Sequence, residues 1–150
     1  MKWHIVYNYS IYYLAINNVS NSITEDIMEL ITIFFILNAT ILLLHEIESA
    51  YEREWEILNL PGKIDGFVLL HIPIIILFFY GALQIEKLTN AGLILGIITG
   101  AGGFIPFLVH RIFVVRKDRF HSRISNVLIY TNIITGIATL LLSIKLIIGL

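Results

Sequence analysis

The sequence predicts an all-α integral membrane protein, a bundle of four transmembrane helices. Of the 150 residues, 57% are hydrophobic and the mean hydropathy is +0.85, which is far too apolar for an ordinary soluble domain. Four long apolar segments are separated by short polar turns, and each is long enough to cross a bilayer as a helix. We therefore expect one transmembrane domain over 22–150, with spans at about 27–46, 64–84, 91–115 and 124–148.

The composition also excludes several classes of site and partner. Cysteine is absent, which rules out disulfides, thiolate metal sites and cysteine nucleophiles. The net charge of -1 gives no reason to expect a nucleic-acid partner, and the lipid bilayer is the expected surrounding. Residues 1–20 contain neither a compact apolar segment nor a small-residue cleavage site, so they do not have the features of a cleaved signal peptide.

The first 21 residues are rich in amphipathic aromatic side chains, which favour the bilayer interface. These side chains are Trp3, Tyr7, Tyr9, Tyr12 and Tyr13. We expect an N-terminal interfacial arm over 1–21, formed as a short helix or an irregular segment, with a disordered tail as the alternative.

The first span follows a capping-box pattern. Ser22-Ile23-Thr24-Glu25 has the S-x-x-E spacing that starts a helix before an apolar run. A charged stretch comes after the apolar run, and Pro61-Gly62 is the next strong helix stop. We therefore expect this helix to continue to about Leu58 and to extend into the cytoplasm by about two or three turns.

Small residues in the third span indicate close helix packing. Gly92, Gly96 and Gly100 recur every four residues, a spacing that lets helix backbones approach closely in lipid. Such packing occurs within a chain or between copies, so a homo-oligomer through these glycines is one expected assembly. Thr89 or Asn90 is expected to cap this helix at its N-terminus.

The basic residues give an expected orientation. Half of the ten Lys and Arg residues lie between the third and fourth spans, at Arg111, Arg116, Lys117, Arg119 and Arg123. Cytoplasmic loops carry an excess of Lys and Arg, so this turn should be cytoplasmic. Four spans in the cell membrane then leave both termini outside and put the turn after the first span in the cytoplasm.

This orientation brings four of the five histidines into one half of the bilayer, each from a different helix or its flank. They are His45, His71, His110 and His121. A charged side chain inside the hydrocarbon costs on the order of 2.5 kcal/mol or more, so such residues usually face the bundle interior. Pro73 and Pro106 each free a backbone carbonyl close to one of these histidines, and we expect a small polar cavity there.

Acidic residues accompany the histidines. On a helix, His45, Glu48, Glu52 and Glu56 share one narrow face. Imidazole and carboxylate groups suit zinc or iron, and paired helices supply His and Glu ligands in this way. The expected ligands of a divalent metal, zinc or iron, are His45, Glu48, His71, His110 and His121. No tight motif such as HExxH is present, so the prediction depends on the topology.

The acids should have different roles. Glu48 and Glu52 are the candidate catalytic residues, with Glu48 as a ligand or general base and Glu52 as an orienting group. Glu46 and Glu54 are expected to point elsewhere and to pair with arginines of the basic turn. On the simpler alternative, His45 and these acids are a solvated helix end.

The predicted function is a metal-dependent hydrolase or oxidoreductase that acts on a lipid-soluble substrate. The first alternative is a proton- or ion-conducting bundle in which the histidines titrate near neutral pH. The second alternative is a non-catalytic membrane subunit, in which the His and Glu residues serve packing and topology.

The chain also resembles a family of small, uncharacterised prokaryotic integral membrane proteins. The resemblance rests on His45-Glu46-Ile47-Glu48, Glu54-Trp55, His71-Ile72-Pro73, His110 and Phe120-His121-Ser122-Arg123-Ile124-Ser125. The family signature is H-E-[LI]-[DE]-x5-E-W, then H-[IV]-P, then a late histidine and F-x-S-x-x-S. The pattern is also similar to the HXXEE membrane proteins, although Ser49 stands in place of the second Glu.

This resemblance covers about 45–125. It implies that six residues act jointly, namely His45, Glu48, Glu54, Trp55, His71 and His110. It supplies no known reaction. The sequence departs from the family at Pro106, where many members have a second histidine.

Overall fold

Helices make up the chain throughout the part that the structure, a computed structural model, describes. The main chain is described over 2–114 and 123–149, and the side chains over 25–112 and 123–149 together with Val19. The helices are α1 (Lys2–Tyr51), α2 (Glu54–Ile57), α3 (Lys63–Glu86), α4 (Asn90–Gly102), α5 (Ile105–Val109) and α6 (Arg123–Ile148), and a π-helical segment, His110–Val114, continues α5.

Four helical stretches are long and apolar enough to cross a membrane. They are Glu25–Tyr51, Lys63–Glu86, Asn90–Ile112 and Arg123–Ile148. The predicted all-α class and its four apolar helices are therefore confirmed, and the chain is compatible with an integral membrane protein. The side of the membrane on which each turn lies stays a prediction.

The first helix begins far earlier than the capping box predicts. α1 starts at Lys2 and passes through Ser22 and Glu25 without a break. No glycine or proline occurs before Pro61, so this stretch contains no strong helix stop, and the S-x-x-E pattern lies inside the helix. The predicted helix start at Ser22 is wrong, whereas the interfacial position of 1–21 stays a prediction.

The first helix also ends earlier than predicted. Instead of continuing to Leu58, α1 stops at Tyr51, and Arg53 adopts a left-handed backbone conformation with a φ of 62°. The chain then folds back into the short helix α2. The Trp55 ring of α2 packs 6.0 Å from the Phe67 ring of α3, measured between centroids. The predicted straight extension of α1 is wrong, because folding back places these apolar side chains against the bundle.

The third span, Asn90–Ile112, is divided into two helices close to the predicted disruption at Pro106. α4 ends at Gly102, and α5 restarts with Pro106 in its first turn, where the missing N–H of proline breaks no helical hydrogen bond. The π-helical segment then begins at His110. At the other end the predicted Thr89 cap is confirmed, since the Thr89 hydroxyl accepts a hydrogen bond from the Gly92 N–H at 3.0 Å.

The glycines of α4 pack inside the chain. Gly92, Gly96 and Gly100 are all buried. A Cβ atom at Gly100 would lie 2.8 Å from the Gly136 carbonyl oxygen of α6, and one at Gly96 would collide with the Ser143 hydroxyl. These positions therefore let α4 and α6 approach closely. Association between copies of the chain through the same face stays a prediction.

Buried hydrogen bonds fix the three helices that pack around Asn38. The Asn38 side chain is fully buried on α1. Its Nδ2 donates to the Thr99 carbonyl of α4 at 2.8 Å, and its Oδ1 accepts from the Thr135 hydroxyl of α6 at 3.1 Å. Hydrogen bonds of this kind hold helices together in lipid, so they set the rotation of α1 and α4, two of the helices that line the site.

Candidate metal centre

Three possible metal ligands from three segments of the chain converge at one end of the bundle. His45 comes from α1, Glu54 from α2 and His110 from the start of the π-helical segment. One ligand atom of each lies within 4.8 Å of the other two, and the two imidazole rings are 5.2 Å apart between centroids. Ligands of a tetrahedral zinc lie about 3.4 Å apart, so small side-chain rotations would close this group on an ion.

Two members of this group are removed from solvent almost completely. His45 is 2% exposed and Glu54 is 4% exposed, while His110 is partly buried. The Nδ1 atom of His45 is buried and makes no hydrogen bond within the part of the chain that the structure describes. The Glu48 carboxylate lies 3.8 Å from this nitrogen, too far for a hydrogen bond. A buried polar atom without a hydrogen bond is rare, and an ion bound beside it is one explanation. The donor set therefore fits a divalent metal.

Glu54 reaches the group because of the turn between α1 and α2. Arg53 supplies the left-handed residue that reverses the chain just before Glu54. The Ser49 hydroxyl, fully buried one turn beyond His45, forms a hydrogen bond with Glu54 and lies 3.4 Å from His45 Nε2. Ser49 therefore lies between two of the candidate ligands and orients both.

The electrostatics of Glu54 favour a cation beside it. Burial raises the pKa of the Glu54 carboxyl above its ordinary value of 4.5; the Ser49 hydrogen bond lowers it, and the Glu46 and Glu48 carboxylates raise it further. A buried carboxyl close to other acids is stabilised in its charged form by a cation. Metal binding at Glu54 would therefore displace a proton that the buried side chain otherwise holds more tightly.

Glu48 lies beside the three-residue group. Its Oε2 atom is 3.8 Å from His45 Nδ1, one turn along α1, and its side chain is mostly buried. Glu48 is therefore near enough to His45 to orient its ring, a role that the sequence analysis gives to Glu52 instead. The role of Glu48 as a ligand or general base stays a prediction.

His71 takes part in a separate contact. Its Nδ1 lies 2.6 Å from the Phe67 carbonyl oxygen, which can only accept, so Nδ1 carries the hydrogen. Its Nε2 lies 2.8 Å from Oε2 of Glu46. The structure therefore does not bring His71 into the group of His45, Glu54 and His110, but pairs it with an acid of α1.

The expected positions of Glu46 and Glu54 are wrong. Both were expected to point away from the histidines and to pair with arginines. Instead Glu46 contacts His71, and Glu54 lies with His45 and His110. For Glu54 the reason is the break after α1, because a continuous helix would have carried it away from the bundle. Glu46 lies on α1 before the break and faces α3, where it meets His71. The neighbouring apolar residues at 55, 57 and 58 were the available signal that this segment folds inward.

The remaining predicted site residues lie elsewhere. Glu52 follows the end of α1 and is outside the group of three ligands that the described residues form. Glu56 does not share a stripe with His45, because α1 has ended, and it pairs with Arg53. His121 lies outside the residues that the structure describes. Roles for Glu52 and His121 stay predictions.

A cavity of about 410 Å³ adjoins the candidate ligands. Its polar lining residues are His45, Glu46, Glu54, His71 and Thr99. The other lining residues are apolar and come from α1, α3, α4 and α5 and from the α2–α3 turn. A cavity close to His71 was expected from the prolines, and Pro106 is one of its lining residues. The cavity is, however, mainly apolar rather than polar.

Comparison with known proteins gives one match. A protein-family model described as a family of unknown function matches residues 31–146. No curated protein and no solved structure matches the chain significantly. The family match covers the whole region that carried the resemblance and is consistent with an uncharacterised family. The finer signature and a prokaryotic origin stay predictions.

Proposed function

The chain belongs to this family, DUF6713, and we propose that it is a membrane-embedded metal-dependent hydrolase that acts on a lipid-soluble substrate. One observation carries the proposal: His45, Glu54 and His110 converge from three separate segments within 4.8 Å. Ionisable groups at such depth in apolar helices are costly and are usually functional. Two histidines with one glutamate are also the protein ligands of well-known catalytic zinc sites.

The surrounding residues support specific roles. His45, His110 and Glu54 would hold the ion, which supplies an activated water and polarises a carbonyl oxygen. Ser49 and Glu48 would keep His45 and Glu54 oriented, since both lie next to them. Glu46 and His71 line the cavity beside the ligands. They are in position to accept a proton from water and return it to a leaving group.

The same ligands favour one second candidate. Two histidines and one carboxylate with open positions are also the ligand set of non-haem iron oxygenases. In that case the protein would be an oxidoreductase that acts in the same cavity. The two candidates share every residue assignment and differ in the metal, so the identity of the bound metal separates them.

Metal content of the purified protein tests the proposal. Detergent-purified wild type should contain about one zinc or iron per chain, and His45→Ala or Glu54→Gln should lower this at least about tenfold, because each removes a ligand. Glu56→Gln is the matched control, since Glu56 lies on the same short helix, is exposed and is outside the group. Wild type that holds no metal, even after incubation with Zn²⁺ or Fe²⁺, would contradict the proposal.

A further inference from the structure

We propose that the cavity beside the candidate metal centre binds a single-chain lipid, a long-chain acyl ester or amide, with its carbonyl at the His/Glu end and its chain between α3 and α4–α5. The site and its ligand class follow from the cavity itself. The hydrolysis of the bound carbonyl rests on the proposed function. Three features of the cavity point to this ligand: its two unlike ends, its sideways opening and its acidic polar end.

The cavity has a polar end and an apolar end. His45, Glu54 and His71 lie at the end where α1, α2 and the start of α3 meet. Beyond His71 the lining continues along α3 as far as Phe78, which is about 10 Å at 1.5 Å per residue. An apolar channel with most of its polar groups at one end matches a molecule with one polar head and one hydrocarbon chain.

The volume limits the ligand to one chain. About 410 Å³ lies in the lower part of the range of roughly 300–1,000 Å³ found for small-molecule sites. One hydrocarbon chain can be enclosed in this space, whereas both chains of a diacyl lipid cannot.

The cavity opens sideways between the helices. Leu70 and Leu77 of α3 and Ile98 and Ile105 of α4–α5 line it and are also between 50% and 60% exposed. Leu70 and Leu77 lie about two turns apart on one face of α3, and Ile98 and Ile105 lie on either side of the α4–α5 break. Since all four line the cavity, the two pairs form the facing edges of one opening. Since these helices are candidate membrane spans, the opening faces hydrocarbon. The ligand would therefore reach the site from the bilayer.

The polar end disfavours an anionic head group. The carboxyl groups of Glu46, Glu48 and Glu54 all lie around it. Two basic side chains are close in sequence to the candidate ligands. Arg53 is exposed and pairs with Glu56, and Arg111, which follows His110, is also exposed. A phosphate or sulfate head would meet these acids, whereas a neutral acyl carbonyl can present its oxygen to a metal ion without that repulsion.

The corresponding reaction is balanced without a redox partner. The oxygen of water forms a bond to the acyl carbon, and the bond from that carbon to the ester oxygen or amide nitrogen breaks. One proton of the water passes to the leaving oxygen or nitrogen. The products are a long-chain carboxylic acid and an alcohol or amine.

A chain-length series tests the ligand class. Wild-type protein with its metal should hydrolyse p-nitrophenyl decanoate at least about tenfold faster than p-nitrophenyl acetate, because each methylene buried in an apolar pocket adds to transition-state binding. Leu95→Trp fills the cavity and should remove this preference while acetate hydrolysis continues. The same substitution at Ile94, which is exposed and does not line the cavity, should leave the preference unchanged. Equal rates for the two esters in wild type would overturn the proposal.

A binding measurement tests the ligand site independently of the proposed hydrolysis. Native mass spectrometry with 2-octadecanone, a long-chain ketone that cannot be hydrolysed, should find one bound molecule per wild-type chain. Neither Leu95→Trp nor Ile98→Trp should bind it. Ile98→Trp is included because Ile98 is exposed, so the protein should fold normally with tryptophan there. Ketone binding by a protein that holds no metal would refute the proposed function and leave this inference standing. Metal without ketone binding would refute the inference. A dimer that Leu95→Trp dissociates would also refute it, because a second copy would then fill the cavity.

Discussion

Replacing Glu54 by glutamine has opposite expected effects on the metal-free and the metal-bound protein. Glu54 is 4% exposed, and burial raises the pKa of its carboxyl. The folded state then binds the proton more tightly than the unfolded state. The stability that Glu54 contributes is therefore fully present below its unfolded pKa and is lost as the pH rises through its folded pKa.

The size of the effect follows from linkage. Each unit by which folding raises the pKa corresponds to about 1.4 kcal/mol of stability lost above the folded pKa. For a chain of this size, that is about 3–6 °C in melting temperature. The metal-free Glu54→Gln variant should therefore melt above wild type at pH 8, because glutamine stays neutral. The difference should become smaller as the pH falls below the unfolded pKa, because Glu54 then becomes protonated in both states.

Bound metal should reverse the order of the two melting temperatures, so that wild type melts above Glu54→Gln. Wild type at a free metal concentration of about 100 Kd gains about 2.7 kcal/mol, whereas the glutamine variant lacks one ligand and gains far less. Thermal unfolding of detergent-solubilised protein, followed by tryptophan fluorescence with a chelator and with Zn²⁺ from pH 4 to 8, measures both effects. Glu56→Gln, at the exposed partner of Arg53, is the control and should show neither. A pH-independent difference between wild type and Glu54→Gln, unchanged by metal, would refute the assignment of Glu54 to a buried metal site.

Substitutions at three further positions, two of them with a matched comparison variant, test the fold and the site. Gly100→Ala should destabilise the protein by about 1–3 kcal/mol in chemical unfolding, since its Cβ would lie 2.8 Å from the Gly136 oxygen. Gly102→Ala should leave the stability unchanged, because nothing lies within 4 Å of a Cβ atom at that position. An equal loss of stability in both variants would contradict the close packing of α4 against α6. Arg53→Gly should keep the metal content of wild type, because glycine accepts the left-handed conformation at φ 62°. Arg53→Val, expressed at the same level, should bind less metal per chain. Equal metal content in the two variants would show that the turn at Arg53 is not needed to place Glu54 beside His45 and His110. His71→Ala should retain metal but hydrolyse p-nitrophenyl decanoate at least about tenfold more slowly, and loss of metal would instead make His71 a ligand.

Much of the fold could be predicted because it depends on composition. Length and apolarity predict four long helices, and the Thr89 cap and the third-span glycines act through local geometry. The end of α1 could not be predicted in the same way. Arginine has no preference for a left-handed backbone, and only the burial of α2 against α3 compensates for Arg53. A fold-back of this kind is a tertiary effect. The apolar residues at 55, 57 and 58 indicate that the segment is buried, but no local pattern specifies the turn at Arg53.

The candidate site was predictable only in part: the two histidines could be expected to meet, but the position of Glu54 and the pairing of His71 could not. The convergence of His45 with His110 follows from the alternating direction of successive spans. The first and third spans run parallel, so their C-terminal ends lie at the same end of the bundle. The third member was assigned to Glu48 on a helical stripe, whereas the turn at Arg53 brings Glu54 there. The pairing of His71 with Glu46 depends on the rotation of α3 about its axis. An almost uniformly apolar helix does not reveal that rotation in its sequence.

X-ray absorption at the metal edge of the purified protein tests the central claim most directly. The claim predicts about one metal ion per chain with two imidazole nitrogens and one carboxylate oxygen at about 2.0–2.2 Å, and the loss of one imidazole in His110→Ala. A protein without bound metal, or a metal surrounded only by water and lipid oxygens, would contradict it.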